Sequence, residues 1–253
     1  MINIKALITG ASSGIGKSMA TYLSSLGYDL ILVARNKEKL EELKSNLNTN
    51  IRIISLDLSD IDNVELLWNN ISNEDIDLFI NNAGYGLYGE FTETNLDKEL
   101  NMIDLNVKTV HYLSKKYIQS RLNKNSGLLL NVASSAGFMA GPKLSSYYAS
   151  KSYVLRLTEA IYEELRRKKS NIHVSVLCPG PVDTNFNNRA NCTFSVKGLN
   201  SDKVAKYAID MTLKHKLHII PSFKMKLTLF GIRLIPTRLL LKMNYNIQKK
   251  KEI

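Results

Sequence analysis

Short apolar runs alternate with longer stretches of helical character along most of this 253-residue chain. The apolar runs have the length of buried strands, and they cover residues 3–9, 29–34, 51–56, 76–80, 128–133 and 172–177. Helical stretches lie between them at 17–26, 37–47, 96–122 and about 147–169, and a helix at 201–213 precedes a last short strand at 217–220. This alternation predicts one α/β domain over residues 1–221, a doubly wound parallel sheet with right-handed crossovers.

A glycine-rich turn follows the first apolar run and leads into the first helix. It reads Gly10-Ala11-Ser12-Ser13-Gly14-Ile15-Gly16. Glycines let backbone N–H groups approach an anion at the positive end of a helix, where bulkier residues would block contact. Strand, glycine turn and helix together predict a pyrophosphate site of the dinucleotide-binding kind. A tight turn with no ligand is the alternative.

The second apolar run ends at Ala34-Arg35, where a dinucleotide fold meets the adenosine ribose. An acidic side chain there binds the free 2′-hydroxyl, whereas a basic one accepts a 2′-phosphate. Arg35 therefore favours NADP(H) over NAD(H), unless it is simply a solvated cation at a helix start. Asp57 and Leu58 end the third run, and Asp57 either accepts from the adenine amino group or only begins the next turn.

The candidate chemistry lies in residues 131–151, where a strand, a Ser-Gly turn and a helix follow one another. Tyr147 and Lys151 are four residues apart, which places them on one face of a helix. An ammonium beside a phenol favours the phenolate, so Lys151 is expected to lower the pKa of Tyr147 from about 10. A tyrosine tuned in this way serves as proton donor and acceptor.

The spacing alone does not single out this tyrosine, because Tyr112/Lys116 and Tyr245/Lys249 repeat it. Only Tyr147 has a serine, Ser134, thirteen residues before it at the end of an apolar strand. A hydroxyl in that position is expected to polarise a carbonyl group. The context therefore favours Tyr147, against a surface tyrosine beside a solvated lysine as the alternative.

Further polar residues follow other strands or interrupt a helix. Asn82-Ala83-Gly84 follows the fourth strand, as part of a cofactor site or as a plain turn. Asn106 lies within the helical stretch 96–122, which indicates either a polar role at depth or a core hydrogen bond. Pro179-Gly180, Val182 and Thr184 follow the sixth strand, and the Asn-rich segment 185–199 reads as a loop that closes over substrate or as inert surface.

The net charge of +11 is concentrated at the C-terminus. Residues 213–253 hold ten Lys and Arg against one Glu, so the preceding part is nearly neutral. Residues 222–253 predict a basic amphipathic extension that Pro236 divides into two short segments. Such a segment suits peripheral contact with an anionic membrane, or packing on its own domain or a partner subunit. Nucleic acid is not expected as a partner, since no recognition motif accompanies the charge.

The two cysteines, Cys178 and Cys192, lack ligand spacing with the four histidines, so neither a disulfide framework nor a zinc site is expected. Residues 2–9 already read as a strand rather than a secretion signal, which predicts a cytoplasmic protein. The longest charge-free window, 125–142, contains glycines and Pro142 and is expected to be a buried strand and turn.

These motifs together resemble the short-chain dehydrogenase/reductase family in its compact single-domain form, with a Rossmann fold, over roughly residues 1–221. The resemblance is carried by Thr9-Gly10-x-x-x-Gly14-x-Gly16, Asn82-Ala83-Gly84, Asn106, Ser134, Tyr147-x-x-x-Lys151 and Pro179-Gly180, in the family's order. More loosely, the C-terminal segment resembles the ending of a bacterial branch of that family.

The resemblance implies a role for each of these residues. Ser134 would bind the substrate oxygen and Tyr147 would pass its proton. Lys151 would also bind the nicotinamide ribose, and Asn106 would hold a water linking Lys151 to solvent. Val182 and Thr184 would bind the nicotinamide carboxamide, with Pro179-Gly180 shaping that loop. Together with the residues inferred from position and charge, the predicted cofactor-binding residues are Gly10, Ser12, Ser13, Gly14, Ile15, Gly16, Arg35, Asp57, Leu58, Asn82, Ala83, Gly84, Tyr147, Lys151, Pro179, Gly180, Val182 and Thr184. No metal is implied.

The function predicted is an NADP(H)-dependent oxidoreductase that interconverts a ketone or aldehyde and an alcohol by direct hydride transfer. A small apolar substrate is expected, since aromatic and sulfur-containing side chains follow several strands: Tyr85, Tyr88, Phe91, Phe138, Met139, Phe186 and Phe194. By analogy the protein is expected to be a homo-oligomer, a dimer or tetramer. The alternative is a nucleotide-binding regulatory protein that attaches to a membrane or partner through its basic C-terminal segment.

Overall fold

A computed structural model describes residues 4–184 and 198–249 of the chain. Seven parallel strands form the main sheet: β1 (Lys5–Thr9), β2 (Asp29–Ala34), β3 (Ile51–Ser55), β4 (Leu78–Asn81), β5 (Gly127–Val132), β6 (Ile172–Leu177) and β9 (His218–Ile219). Their order is β3-β2-β1-β4-β5-β6-β9. The short strands β7 (Val182–Asp183) and β8 (Leu199–Asn200) pair separately. The predicted doubly wound parallel sheet is confirmed.

Helices cover both faces of this sheet. They are α1 (Gly14–Ser25), α2 (Lys37–Ser45), α3 (Ile61–Ile71), α4 (Leu96–Ile103), α5 (Val110–Arg121), α6 (Ser145–Arg167), α7 (Ser201–Leu213), α8 (Phe223–Gly231) and α9 (Thr237–Lys249). Alternate strand residues face opposite layers. Leu30 and Leu32 of β2 pack in the layer of α1 and α7, while Ile31 and Val33 pack in the layer of α3 and α5. Burial on both faces explains why the strands read as continuous apolar runs.

The predicted long helix at 96–122 is interrupted. Asp104–Thr109 forms a π-helical segment between α4 and α5, with Asn106 buried inside it. The Thr109 hydroxyl donates to the Asp104 carbonyl at 3.1 Å across this wider turn. Single-turn π-helical insertions occur often at functional sites, and the sequence pattern did not predict this one.

A buried polar network joins the centre of the sheet to α5 and α6. Asn81 Nδ2 donates to Asn131 Oδ1 at 2.9 Å and to Ser114 Oγ at 3.1 Å. Asn131 Nδ2 in turn donates to Thr158 Oγ1 at 3.0 Å. All four side chains are buried, so each bond satisfies groups that would otherwise be desolvated without a partner.

The C-terminal segment packs on the domain as two short helices, α8 and α9, and Pro236 lies between them as predicted. Asn244 Nδ2 donates to the Ala140 carbonyl at 2.7 Å, and Tyr88 Oη donates to the Gln248 carbonyl at 2.9 Å. Among the described residues, no helix has both the length and the apolar character needed to cross a bilayer. The domain boundary at residue 221 stays a prediction. Most of the segment predicted to close over substrate, and with it Phe186, Phe194 and Cys192, lies outside the described residues.

Candidate active site

A cleft of about 370 Å³ opens at the carboxyl edge of the sheet. This edge is where ligands bind in open α/β sheets, beside the point where the strand order reverses. Among the predicted site residues, those that line the cleft are Gly10, Ser12, Ser13, Gly14, Ile15, Arg35, Asp57, Leu58, Asn82, Ala83, Gly84, Ser134, Tyr147, Lys151, Pro179, Gly180, Val182 and Thr184. Gly16 and Asn106 lie behind the lining.

The glycine turn between β1 and α1 has the geometry of an anion cradle. Gly10 and Gly14 have φ of +67° and +55°, which L-residues with a side chain rarely adopt. A Cβ at Gly16 would lie 2.4 Å from the Gly10 carbonyl oxygen, so the turn closes only with glycine there. No acidic residue occupies the first turn of α1, and Ser13 makes no side-chain cap. The first backbone N–H groups of α1 are therefore available to a phosphate, and the residues present fit a dinucleotide.

The turn after β4 is fastened to the glycine turn by hydrogen bonds. Asn82 Nδ2 donates to the Thr9 and Gly10 carbonyls at 2.9 and 3.2 Å. The Thr9 hydroxyl accepts from the backbone N–H groups of Asn82 and Ala83 at 2.9 and 3.0 Å. Asn82 is thus more than a turn former, because its side chain connects the turn after β4 to the glycine turn that begins at Gly10.

Arg35 and Asp57 lie together at the far end of the cleft. Arg35 Nη1 is 3.5 Å from Asp57 Oδ2, and both side chains are largely exposed. Ser59 donates from its backbone N–H and its hydroxyl to Asp57 Oδ1 at 3.0 and 2.8 Å. Burial by itself would raise the pKa of Asp57, but the bonds from Ser59 and the charge of Arg35 hold that pKa below its usual value. Asp57 is therefore a carboxylate that forms a weak, solvent-exposed ion pair with Arg35 at the rim.

Ser134 lies at the end of β5, where it caps a short 3₁₀ helix, Ser135–Phe138. Its Oγ accepts from the Ala136 N–H at 3.1 Å and is 3.5 Å from the Pro179 carbonyl oxygen. The second distance is at the limit for a hydroxyl donor. The hydroxyl can therefore turn toward another acceptor in the cleft at little energetic cost.

Tyr147 and Lys151 share one face of α6, as their spacing predicts. Lys151 Nζ lies 6.0 Å from the centre of the Tyr147 ring and donates to the Val132 carbonyl at 2.9 Å. Burial lowers the pKa of Lys151 to about 8. Cys178 lies in the same environment, where burial raises the pKa of its thiol to about 12 and keeps it neutral.

Asn106 binds the backbone of the loop beside the site. Its Oδ1 accepts from the Tyr85 N–H at 3.1 Å, while its Nδ2 donates to the Tyr85 carbonyl at 2.9 Å and to Ser150 Oγ at 3.1 Å. A Cβ on Gly84 would lie 2.7 Å from this Oδ1 and 3.3 Å from Lys151 Nζ. Both amide hydrogens are thus used within the protein, so a water could reach Asn106 only at the remaining lone pair of Oδ1. Its predicted role in holding such a water stays a prediction.

The loop after β6 closes the cleft opposite the glycine turn. The Pro179 carbonyl accepts from the Ser135 N–H at 2.8 Å, which ties the loop to the Ser134 turn. A Cβ on Gly14 would lie 3.1 Å from Thr184 Cγ2, so the loop also approaches the cradle closely. Val182, Thr184, the glycine turn and Ser134 therefore surround one space.

Comparison with known proteins identifies the same family that the sequence motifs resemble. A family model described as short chain dehydrogenase matches residues 5–193. The chain belongs to the short-chain dehydrogenase family. It is an oxidoreductase that acts with NAD or NADP. It is 33% identical over 181 residues to an uncharacterized oxidoreductase of Staphylococcus epidermidis, covering 71% of this chain and 78% of that relative.

Two solved structures are similar to this chain over about nine tenths of its length. A short-chain dehydrogenase from Sphingobium yanoikuyae in complex with NADPH is 27% identical, with a TM-score of 0.82 over 91% of this chain and 94% of that one. A bulky-bulky ketone specific alcohol dehydrogenase from Comamonas testosteroni is 26% identical, with a TM-score of 0.78 over 91% of this chain and 92% of that one.

The aromatic lining of this short-chain dehydrogenase differs from the prediction. Of the predicted pocket residues that the structure describes, only Tyr85 lines the cleft. Phe91 is exposed, Phe138 packs in a core cluster, and the Tyr88 hydroxyl bonds to the C-terminal helix α9. A position after a strand therefore does not by itself place an aromatic side chain in the cleft.

Sequence reasoning missed Leu144 and Tyr148, which line the cleft of this dehydrogenase beside Tyr147. Gln248 of α9 donates from Nε2 to Tyr148 Oη at 2.6 Å, so the C-terminal helix positions a residue of the cleft wall. Burial raises the pKa of Tyr148, and the bond from Gln248 acts against that rise. The adjacency of Tyr148 to Tyr147 was visible in the sequence, but its partner one hundred residues away was not.

Proposed function

We propose that the protein interconverts a ketone or aldehyde and the corresponding alcohol, with NADP(H) preferred over NAD(H) and Tyr147 as general acid and base. One observation carries this proposal. A single cleft is lined by the anion cradle and Arg35 at one end and by Ser134, Tyr147 and Lys151 at the other. A dinucleotide held along it has its phosphates at the cradle and its reactive end beside three polar side chains.

The nicotinamide group, when bound, supplies or accepts a hydride at the carbonyl carbon. The chain's own residues orient the substrate and move the proton. Ser134 donates its hydroxyl to the carbonyl oxygen, which polarises the bond and positions the carbon. Tyr147 gives its proton to that oxygen during reduction and takes it back during oxidation.

Lys151 stabilises the phenolate that Tyr147 becomes when it has given its proton. Its ammonium lies close to the phenol ring in a buried setting, where charges interact more strongly than in water. Because burial lowers the pKa of Lys151 to about 8, its amine is mostly protonated at neutral pH and loses its charge above about pH 8. Cleft geometry thus supports one lysine acting both as an electrostatic partner and as a ligand of the cofactor ribose.

The preference for NADP(H) rests on Arg35 at the rim of the cleft. Its guanidinium contacts Asp57 through one nitrogen only, which leaves other donors for a 2′-phosphate. The Sphingobium relative in complex with NADPH is consistent with this preference.

The substrate is proposed to be apolar around its carbonyl group. Leu144 and Tyr148 line the cleft beside Tyr147 and favour hydrocarbon over charged substituents. The Comamonas relative, described as specific for bulky-bulky ketones, supports the ketone class. Assembly into a homo-oligomer stays a prediction, which analytical sedimentation would test. A cytoplasmic location also stays a prediction, which cell fractionation would test.

Oxidation of NADPH against a panel of aldehydes, aliphatic and cyclic ketones and keto acids tests the proposal. Tyr147→Phe should lower kcat by about a hundredfold or more, while the affinity for NADPH changes little. The matched control is Tyr112→Phe, because Tyr112 has Lys116 at the same sequence spacing, with Nζ 5.5 Å from its ring, but lies outside the cleft. Near-normal kcat in Tyr147→Phe, or equal losses in both variants, would overturn the assignment.

A further inference from the structure

The C-terminal helix α9 packs on the domain with a polar side and exposes an apolar side, the opposite of a typical surface helix. Asn244 and Gln248 face the domain with exposures of 6% and 1%. Leu239, Met243 and Ile247 are 51%, 43% and 51% exposed. Residues four apart lie on one side of a helix, so these three form an apolar stripe that points away from the protein. A surface helix ordinarily buries such a stripe against its own core.

Helix α8 buries part of its apolar surface on the domain but also exposes several large apolar side chains. Leu229 is buried and Met225 reaches the loop after β6, where its Cε lies 2.7 Å from the position of a Cβ on Gly180. Phe223, Leu227 and Phe230 are nevertheless 73%, 58% and 66% exposed. We define the outward face as these three residues together with Leu239, Met243 and Ile247. Six large exposed apolar side chains thus occur within residues 223–247, and such a concentration marks an interaction surface.

The charges around the outward face identify its partner. Residues 222–249 contain six cations and no Asp or Glu. The cations are Lys224, Lys226, Arg233, Arg238, Lys242 and Lys249, and no carboxylate in the part of the chain that the structure describes pairs with any of them. A second copy bound face to face would bring these cations against each other, which is unfavourable. An anionic lipid surface instead accepts the apolar side chains and neutralises the cations together.

We infer that the outward face binds the surface of a bilayer that contains anionic lipid. Phe223, Leu227, Phe230, Leu239, Met243 and Ile247 enter the boundary between headgroups and acyl chains, and the neighbouring lysines and arginines contact lipid phosphates. The polar side of α9 stays on the domain through Asn244 and Gln248, so binding requires no unfolding of the helix. This interaction does not depend on the proposed redox chemistry, since none of these six apolar residues lines the cleft.

The test is flotation of the full-length protein with phosphatidylcholine vesicles, with and without phosphatidylglycerol. We expect binding that needs phosphatidylglycerol and weakens as ionic strength rises. Leu239→Gln/Met243→Gln/Ile247→Gln should weaken it by roughly tenfold or more, since affinity scales with buried apolar area. The matched control is Leu26→Gln/Leu66→Gln/Leu122→Gln, because these residues are 42%, 49% and 53% exposed elsewhere on the domain. The control triple should float as the parent protein does.

A charge variant makes the test independent of the apolar substitutions. Lys224→Gln/Arg238→Gln/Lys242→Gln should lower affinity for anionic vesicles by about a hundredfold, because each of the three cations contributes roughly fivefold near such a surface. The exposed lysines Lys39, Lys44 and Lys168, changed to Gln together, form its control. Thermal unfolding and NADPH binding verify that each variant folds.

Three results would overturn the inference. The first is that the parent protein does not float with anionic vesicles. The second is that a control triple lowers vesicle binding as much as the apolar or charge triple it is matched to. The third is that the protein self-associates without vesicles, the apolar triple abolishes that association, and vesicles bind neither form, in which case the partner is a second copy of the chain.

Discussion

Replacing Arg35 with alanine tests the cofactor preference directly. In the structure the guanidinium lies at the rim of the cleft, with a single contact of 3.5 Å between Nη1 and Asp57 Oδ2. The Arg35 side chain is 55% exposed and that of Asp57 is 42% exposed. An exposed ion pair of this kind contributes about 0 to 1 kcal/mol, because solvent screens it. Asp57 therefore holds Arg35 only weakly.

A 2′-phosphate is expected to interact more strongly with the Arg35 guanidinium than Asp57 does. Hydrogen bonds to a charged group contribute about 1.5–3 kcal/mol each, and Arg–phosphate pairs are often bidentate. Taking one such bond at about 2–3 kcal/mol and subtracting about 0.5 kcal/mol for the pair with Asp57 leaves a net advantage of about 1.5–2.5 kcal/mol for NADPH. Arg35→Ala should then weaken NADPH binding by about 10- to 70-fold, while NADH binding, which involves no 2′-phosphate, changes less than about threefold.

Fluorescence titration of each dinucleotide measures both affinities for the parent and the variant. Arg52→Ala is the matched control, since Arg52 also belongs to an exposed ion pair, with Glu74, but does not line the cleft. Asp57→Asn adds a second check, because removing the competing carboxylate should raise the NADPH preference. An unchanged ratio of NADPH to NADH affinity in Arg35→Ala would refute the reasoning.

Three further outcomes are expected. Above about pH 8, kcat/KM for carbonyl reduction should fall as Lys151 loses its proton, and Lys151→Met should lack this inflection; the same inflection in the variant would contradict the assignment. Asn131→Ala should lower the free energy of urea unfolding by about 2–4 kcal/mol, since buried partners lose their hydrogen bonds, and a loss under about 1 kcal/mol would count against the network. Gly16→Ala should abolish dinucleotide binding because of its clash with the Gly10 carbonyl, whereas Gly231→Ala, with open space around it, should bind normally; equal binding by both would show that the turn tolerates a side chain.

The layered fold could be predicted because its signals are local. Each central strand is buried on both faces, so its apolar character is visible within five or six residues. The glycine turn is also visible locally, since the backbone at Gly10 and Gly14 adopts positive φ, which glycine favours. Tyr147 and Lys151 are one helical turn apart, so their shared face follows from α6 alone. The glycine turn and the polar residues Ser134, Tyr147 and Lys151 of the cleft could thus be selected before their arrangement was known, whereas its apolar lining could not.

Contacts between distant segments could not be predicted in this way. The pairing of Arg35 with Asp57 depends on how β2 and β3 end side by side, and the bond from Gln248 to Tyr148 depends on where α9 docks. Periodicity showed that the C-terminal segment has an apolar and a polar side, but a pattern has no direction relative to the rest of the molecule. Only the packed domain reveals that the polar amides of α9 face inward while Leu239, Met243 and Ile247 face outward. That orientation arises because the surface available to α9 presents hydrogen-bonding groups, the Ala140 carbonyl and the Tyr148 hydroxyl, which amides satisfy and aliphatic side chains do not.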